Sequence, residues 1–168
     1  MPTHYQGCET SVRALNAYIN LVRASDSVMD KLAADIESHG LTLGQFAVLE
    51  AVYHLGPMCQ KTVAKKLLRS GGNITLVVNN LEKQGLVRRE RQANDRRMVQ
   101  IHLTVEGRER ISRVFPKHVE AIVKVMSALS DSEQEELRRI CRKLGKGGEE
   151  LCEERRKREA EHAANQTE

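Results

Sequence analysis

Apolar residues recur along most of this chain in steps of three and four, the period of a helix packed on one side. The first run is Val12, Leu15, Ile19, Val22, Met29, Ala33 and Ile36, with Asp26 at the skipped position. It predicts a long N-terminal helix whose stripe starts so far ahead of the rest of the chain that it suits a partner's surface. Asp26 is either a polar register-setter in that stripe or, with Ser25, the cap of a local helix break. Gly40 stops this helix, and Thr42 caps the next, in which Phe46, Leu49, Val52 and Tyr53 recur before Gly56-Pro57. A short helix from Gln60 to Leu68 turns Val63, Ala64 and Leu67 inward and Lys61, Lys65 and Lys66 outward. Ser70 then caps a helix with Ile74, Val77, Val78 and Leu81 on one face, ended by Gly85 in a left-handed conformation. Its opposite face collects Gly72, Thr75, Leu76, Asn79, Asn80 and Lys83.

After Gly85 the period shortens to two. Leu86-Val87 opens a strand, Gln92-Ala93-Asn94-Asp95 makes a turn, and Val99, Ile101 and Leu103 alternate with Met98, Gln100 and His102, which predicts a β-hairpin. Thr104, helped by Glu106, caps a helix carrying Ile111, Phe115, His118, Ile122, Val125 and Leu129, with a kink expected at Pro116. Ser130-Asp131-Ser132-Glu133 is a capping box, and Leu137, Ile140, Cys141 and Leu144 give the helix after it a face to bury. Gly145-Lys146-Gly147-Gly148 reads as a helix stop, and Glu149 to Glu168, nearly devoid of large apolar residues, as a frayed helical extension or disordered tail. The fold class is mainly α with a small β-hairpin wing (α+β). Its expected divisions are an N-terminal helix (1–40), a central lobe (41–104), C-terminal helices (105–145) and a charged tail (146–168).

Charge changes the picture of the central lobe. Between Gln60 and Arg97 lie Lys61, Lys65, Lys66, Arg69, Lys83, Arg88, Arg89, Arg91, Arg96 and Arg97 against Glu82, Glu90 and Asp95. That is an excess of seven positive charges, where the whole chain carries only +4. A focused basic patch on a helix-turn-helix and an arginine-tipped ribbon suits phosphate neutralisation, with the second helix in the major groove and the ribbon tip in the minor groove. The 3% aromatic content and absent tryptophan argue against readers that stack unpaired bases, leaving double-stranded DNA as the partner. The reading face has no arginine to read guanine. Leu76 and Thr75 suit thymine methyls and Asn79 suits adenine, so an A·T-rich palindrome is expected.

Other chemistry finds little support. The sequence has no Gly-x-Ser-x-Gly, His-Glu-x-x-His or Walker motif, so no enzyme and no cofactor are expected. Cys8, Cys59, Cys141 and Cys152 are far apart, as reduced thiols would be, and with the six histidines show no zinc spacing. There is no apolar signal core and no bilayer-length apolar segment, so a cytoplasmic protein without a membrane partner is expected.

The residues Leu41-Thr42-x-x-Gln45-Phe46-x-Val48-Leu49, the run Asn80-Leu-Glu-Lys-Gln-Gly-Leu-Val87, then Asp95-Arg96-Arg97 and Leu103-Thr104-x-x-Gly107 together resemble the MarR family of winged-helix bacterial transcription regulators, over roughly Val12 to Leu144. The resemblance implies a homodimer joined through its N- and C-terminal helices. By position it makes Arg97 the minor-groove arginine, with Asp95 orienting it, and directs Ser70 to Asn79 to the major groove. Many members have an aspartate where this chain has Asn79, a change that either eases approach to DNA or removes a brace. The expected DNA-binding set is Lys61, Lys65, Arg69, Ser70, Gly72, Asn73, Thr75, Leu76, Asn79, Lys83, Arg89, Arg91, Asp95, Arg96 and Arg97. Members of the family are often released from DNA by a small aromatic or phenolic ligand bound between lobes, and Tyr18, His39 and His54 are candidates to line such a site. A thiol-based sensor using Cys8 or Cys59 is the alternative signal. A winged helix that binds protein instead of DNA is the alternative function.

Overall fold

The computed structural model describes residues 3–67, 71–91 and 99–165. Their elements are α1 (Glu9–Ser38), α2 (Leu43–Leu55), β1 (Met58–Cys59), α3 (Gln60–Lys66), α4 (Gly71–Lys83), β2 (Val87–Arg91), β3 (Val99–Leu103), α5 (Val105–Met126) and α6 (Asp131–Asn165). The three strands form one antiparallel sheet in the order β1-β3-β2, with Arg89 opposite Ile101 and Met58 opposite Ile101 on the other side. The hairpin was expected, but β1 was not. Two residues behind Gly56-Pro57 are too few to show alternation, and their pairing comes from β3, some forty positions away.

Local chemistry sets the boundaries. Thr42 Oγ1 accepts from the Gln45 N–H (3.2 Å) while Gln45 Oε1 accepts from the Thr42 N–H (2.9 Å), a reciprocal cap that starts α2. Gly85, at φ +70°, ends α4: the Leu86 N–H reaches back to the Leu81 carbonyl (2.9 Å), a turn that needs a residue with positive φ. α1 runs unbroken through Asp26, so neither Asp26 nor Ser25 is a cap. α5 likewise continues through Pro116.

The core lies in the lobe formed by α2 to β3 with the C-terminal part of α1 and the first half of α5. Ile36, Phe46, Val48, Leu49, Val63, Val78, Leu81, Ile101 and Ile111 are essentially inaccessible to solvent. Each such side chain contributes roughly 1.5–3 kcal/mol of transfer free energy. One approach is unusually close. A Cβ on Gly107 would stand 1.9 Å from the Leu86 carbonyl oxygen, and Thr104 bonds Leu86 O through its N–H (3.2 Å) and Gly85 O through its hydroxyl (2.7 Å). The first turn of α5 is thereby fastened to the turn that ends α4.

From Lys124 onward the chain forms a second unit dominated by α6. Ser130 and Glu133 make the expected capping box, with the Ser130 N–H donating to the Glu133 carboxylate at 2.8 Å. Two expectations are corrected here. Gly145, Gly147 and Gly148 do not stop the helix: each glycine costs about 1 kcal/mol relative to alanine, a cost helices absorb, and none of the three adopts the positive φ of a stop. The face of Leu137, Ile140, Cys141 and Leu144 is exposed within the chain, Ile140 by 48%.

Candidate nucleic-acid interface

α3 and α4 form the two-helix reading unit. Ile74, Val78 and Leu81 anchor α4 in the core, so its opposite face is presented outward, with Gly72, Asn73, Thr75, Leu76, Asn80 and Lys83 exposed. Leu76 is 62% exposed, a large apolar side chain placed on the face that would meet base edges. Lys61 and Lys65 project from α3 and Arg91 from the distal end of β2. Among the described residues Lys61, Lys65, Lys83 and Arg91 form no ion pair, which leaves their charge for an external anion. Thr75 is not idle, since its hydroxyl accepts from Gln60 Nε2 at 2.5 Å and ties the two helices together. Arg69, Ser70, Asp95, Arg96 and Arg97, with the turn from Gln92 to Asp95, lie outside the described residues.

Arg89 departs from its expected role as a phosphate contact. Its guanidinium ion-pairs with Glu82, its backbone N–H donates to the same carboxylate (3.2 Å), and Nη2 donates to Asn79 Oδ1 (2.6 Å). The brace that an uncharged Asn79 put in question therefore exists. Asparagine accepts one bond, and Glu82, three residues on, supplies the charge. Arg88 is also engaged, pairing with Glu90 at 2.5 Å and donating to the Leu103 carbonyl at 3.2 Å. That bond from Arg88, before its charge and that of His102, holds the Glu90 carboxyl below the usual carboxylate range. Sequence reasoning counted the cations of β2 correctly but had no means of telling which were neutralised at home.

A cavity of about 230 Å³ lies between α1, α2, the end of α3 and α5, lined by Met29, Leu32, Leu43, Phe46, Ala47, Glu50, Leu67 and His118. Its wall is apolar apart from Glu50 and His118. His118 is 7% exposed, lies 4.5 Å from the Phe46 ring, and has a buried Nδ1 without a hydrogen-bond partner. The three candidates do not line this cavity. Tyr18 is exposed on α1, His39 borders a separate cleft with Arg110, Arg113 and Lys117, and His54 packs against Tyr53 and Phe115. His118 was visible in the sequence only as a member of the α5 apolar repeat. The Cys8 and Cys59 thiols lie 3.1 Å from Ser11 Oγ and 3.0 Å from Thr62 Oγ1, and those contacts hold both pKa values below the usual one. Among the described residues no cluster of three or more His, Cys, Asp or Glu is placed to hold a metal.

A three-helix lobe with a short third strand, an outward second helix and an antiparallel hairpin beside it defines a winged helix-turn-helix regulator. The family described as MarR matches residues 41–99. The chain is 37% identical over 133 residues to the uncharacterized HTH-type transcriptional regulator YkoM of Bacillus subtilis, spanning 79% of this chain and 86% of that protein. It superposes on S. aureus MepR in its DNA complex with a TM-score of 0.68 at 27% identity, over 76% of this chain and 95% of that one. The organohalide-sensing regulator RdhR, bound to 2,4-dichlorophenol, shares the fold with a TM-score of 0.71 at 20% identity, over 86% and 88% of the two chains. The chain belongs to the MarR family and is a transcriptional regulator.

Proposed function

We propose that the protein is a cytoplasmic homodimer that binds a pseudopalindromic, A·T-rich operator in double-stranded DNA, represses transcription there, and is released by a small aromatic or phenolic ligand. The observation that carries this reading is the outward face of α4, with exposed Leu76 flanked by the unpaired cations Lys61, Lys65, Lys83 and Arg91. Phosphate contacts by these cations give affinity and register, while α4 selects sequence.

The dimer is supported by apolar surface that the chain leaves uncovered: Tyr18, Leu21 and Val22 on α1, Val119, Ile122 and Val123 on α5, and Leu137, Ile140 and Leu144 on α6. Faces of this extent on three helices suit a second copy, and a two-fold dimer matches half-sites about 34 Å apart. The effector reading is supported by the cavity beside His118. Its volume is below the usual range for drug-sized ligands and suits one substituted ring, whose hydroxyl would satisfy the orphaned Nδ1. No helix among the described residues is long and apolar enough to cross a membrane.

The test is fluorescence-anisotropy binding to random-sequence duplex DNA across a salt series, repeated with 2,4-dichlorophenol. DNA binding predicts a loss of about 0.9 log unit of affinity per phosphate contacted for each decade of salt, and the ligand should lower affinity further. Absence of binding at low salt would transfer the fold to protein recognition.

A further inference from the structure

Asn79 and Arg89 fix each other, and the chemistry of the pair decides which end of the amide faces away. A guanidinium carries five N–H donors and no acceptor, so the amide atom that meets it must be the oxygen. Asn79 Oδ1 accepts from Arg89 Nη2 at 2.6 Å. Arg89 is held in turn by Glu82, which receives both its backbone N–H and Nη1. Asn79 and Glu82 stand three apart on α4 and share one side of the helix, and the Gly85 turn brings Arg89 back across them. The Arg89 side chain is only 26% exposed, so these bonds hold it in one orientation. Asn79 Nδ2 has no protein partner among the described residues and is not among the buried unsatisfied atoms. Two N–H groups therefore remain for whatever lies against α4.

We infer that Asn79 is a donor-only specificity residue that reads the keto edge of one base in each half-site, thymine O4 or guanine O6, and that Arg89 and Glu82 are the residues that position it. This rests on the DNA-binding reading above. An unconstrained asparagine reads adenine with both ends of its amide, accepting from N6 and donating to N7. Here the accepting end is committed to Arg89. Of the four bases, thymine and guanine offer keto oxygens to a donor. Cytosine offers only its N4 donor, and adenine offers N7 beside an N6 group that finds no acceptor. An aspartate at this position would turn a lone pair outward, so the neutral amide determines the polarity of the contact. The same geometry removes Arg89 from the phosphate contacts, because Glu82 has neutralised it.

The test is selection of bound sequences from random duplexes by the full-length protein and by its Asn79→Asp, Arg89→Met and Arg89→Lys variants, with the salt series on random DNA as a parallel readout. For the natural chain, one position in each half-site should favour thymine or guanine over cytosine by about tenfold, the scale of one directed base contact. Asn79→Asp should reverse that position alone toward cytosine and adenine. Arg89→Met frees the amide oxygen and should move the preference to adenine, whereas Arg89→Lys keeps a donor against Oδ1 and should retain the keto preference. The inference is overturned if the natural chain prefers adenine there and Arg89→Met changes nothing, or if Asn79→Asp leaves every position unaltered. Loss of all duplex binding by the natural chain in the salt series is a separate outcome. It overturns the DNA-binding reading itself and the inference with it.

Discussion

The central lobe and the terminal helices use the same apolar residue types to opposite ends. In the lobe, side chains such as Phe46, Leu49 and Leu81 are sealed by residues of their own chain, whereas on α1 and α6 Tyr18, Val22, Leu137 and Ile140 remain open to solvent. The stability of the lobe is thus a property of one chain, and that of the end helices depends on concentration and on a second copy.

The most forceful way to break this comparison is Phe46→Ala. Removing a fully buried ring should cost roughly 3–5 kcal/mol, and chemical denaturation should show the loss at every protein concentration. A loss that faded at high concentration would mean that the lobe core also leans on the dimer. Ile140→Asp should act in the complementary way, lowering dimer stability by on the order of 3 kcal/mol, about 100-fold in Kd, since each interface receives two changes. Sedimentation equilibrium should show monomers whose far-UV spectrum retains the lobe's helices. An undisturbed dimer would place the interface elsewhere.

Capping sharpens the comparison further, because the same box opens a helix in each region. Thr42→Ala should cost about 1 kcal/mol of global stability, while Ser130→Ala should fray the start of α6 and leave the lobe's unfolding midpoint unmoved. The smallest effect separates the two boxes by pH. The box of α2 uses neutral Gln45, but that of α6 uses Glu133, whose carboxyl is held below its ordinary value of 4.5 chiefly by the Ser130 backbone N–H. Its contribution is complete above 4.5 and disappears as pH falls through the lowered value. Amide exchange at Ser130 should therefore accelerate on acidification, with no matching change at Thr42.

Much of this was legible in the chain because it is written locally. Steps of three and four marked the helices, Thr42 and Ser130 their starts, Gly40 and Gly85 their ends, and the change to alternation at Leu86 the hairpin. What escaped depended on distant partners. β1 exists because β3 pairs with it. The glycines near 145 stop nothing because no turn there takes the positive φ of Gly85. Arg89 looked like a cation for DNA because a charge count cannot see that Glu82, seven positions earlier, lies across the turn from it. His118 looked like one more member of an apolar stripe, and only the packing of α1 and α2 around it leaves a cavity at its ring. The wing residues Asp95, Arg96 and Arg97 stay with the proposal made for them, outside the described residues.

The bare main-chain contact at Gly107 has a mechanical consequence. α5 is one rod from there past His118, about 16 Å at 1.5 Å per residue, and its near end bears directly on the Gly85–Leu86 turn. Pushing the far end sideways by about 2 Å pivots the rod by roughly 7°. A side chain at the pivot would act as a cushion and absorb part of that rotation. With hydrogen alone on the α-carbon the joint has no slack, and the lever delivers its turn to the end of the recognition helix.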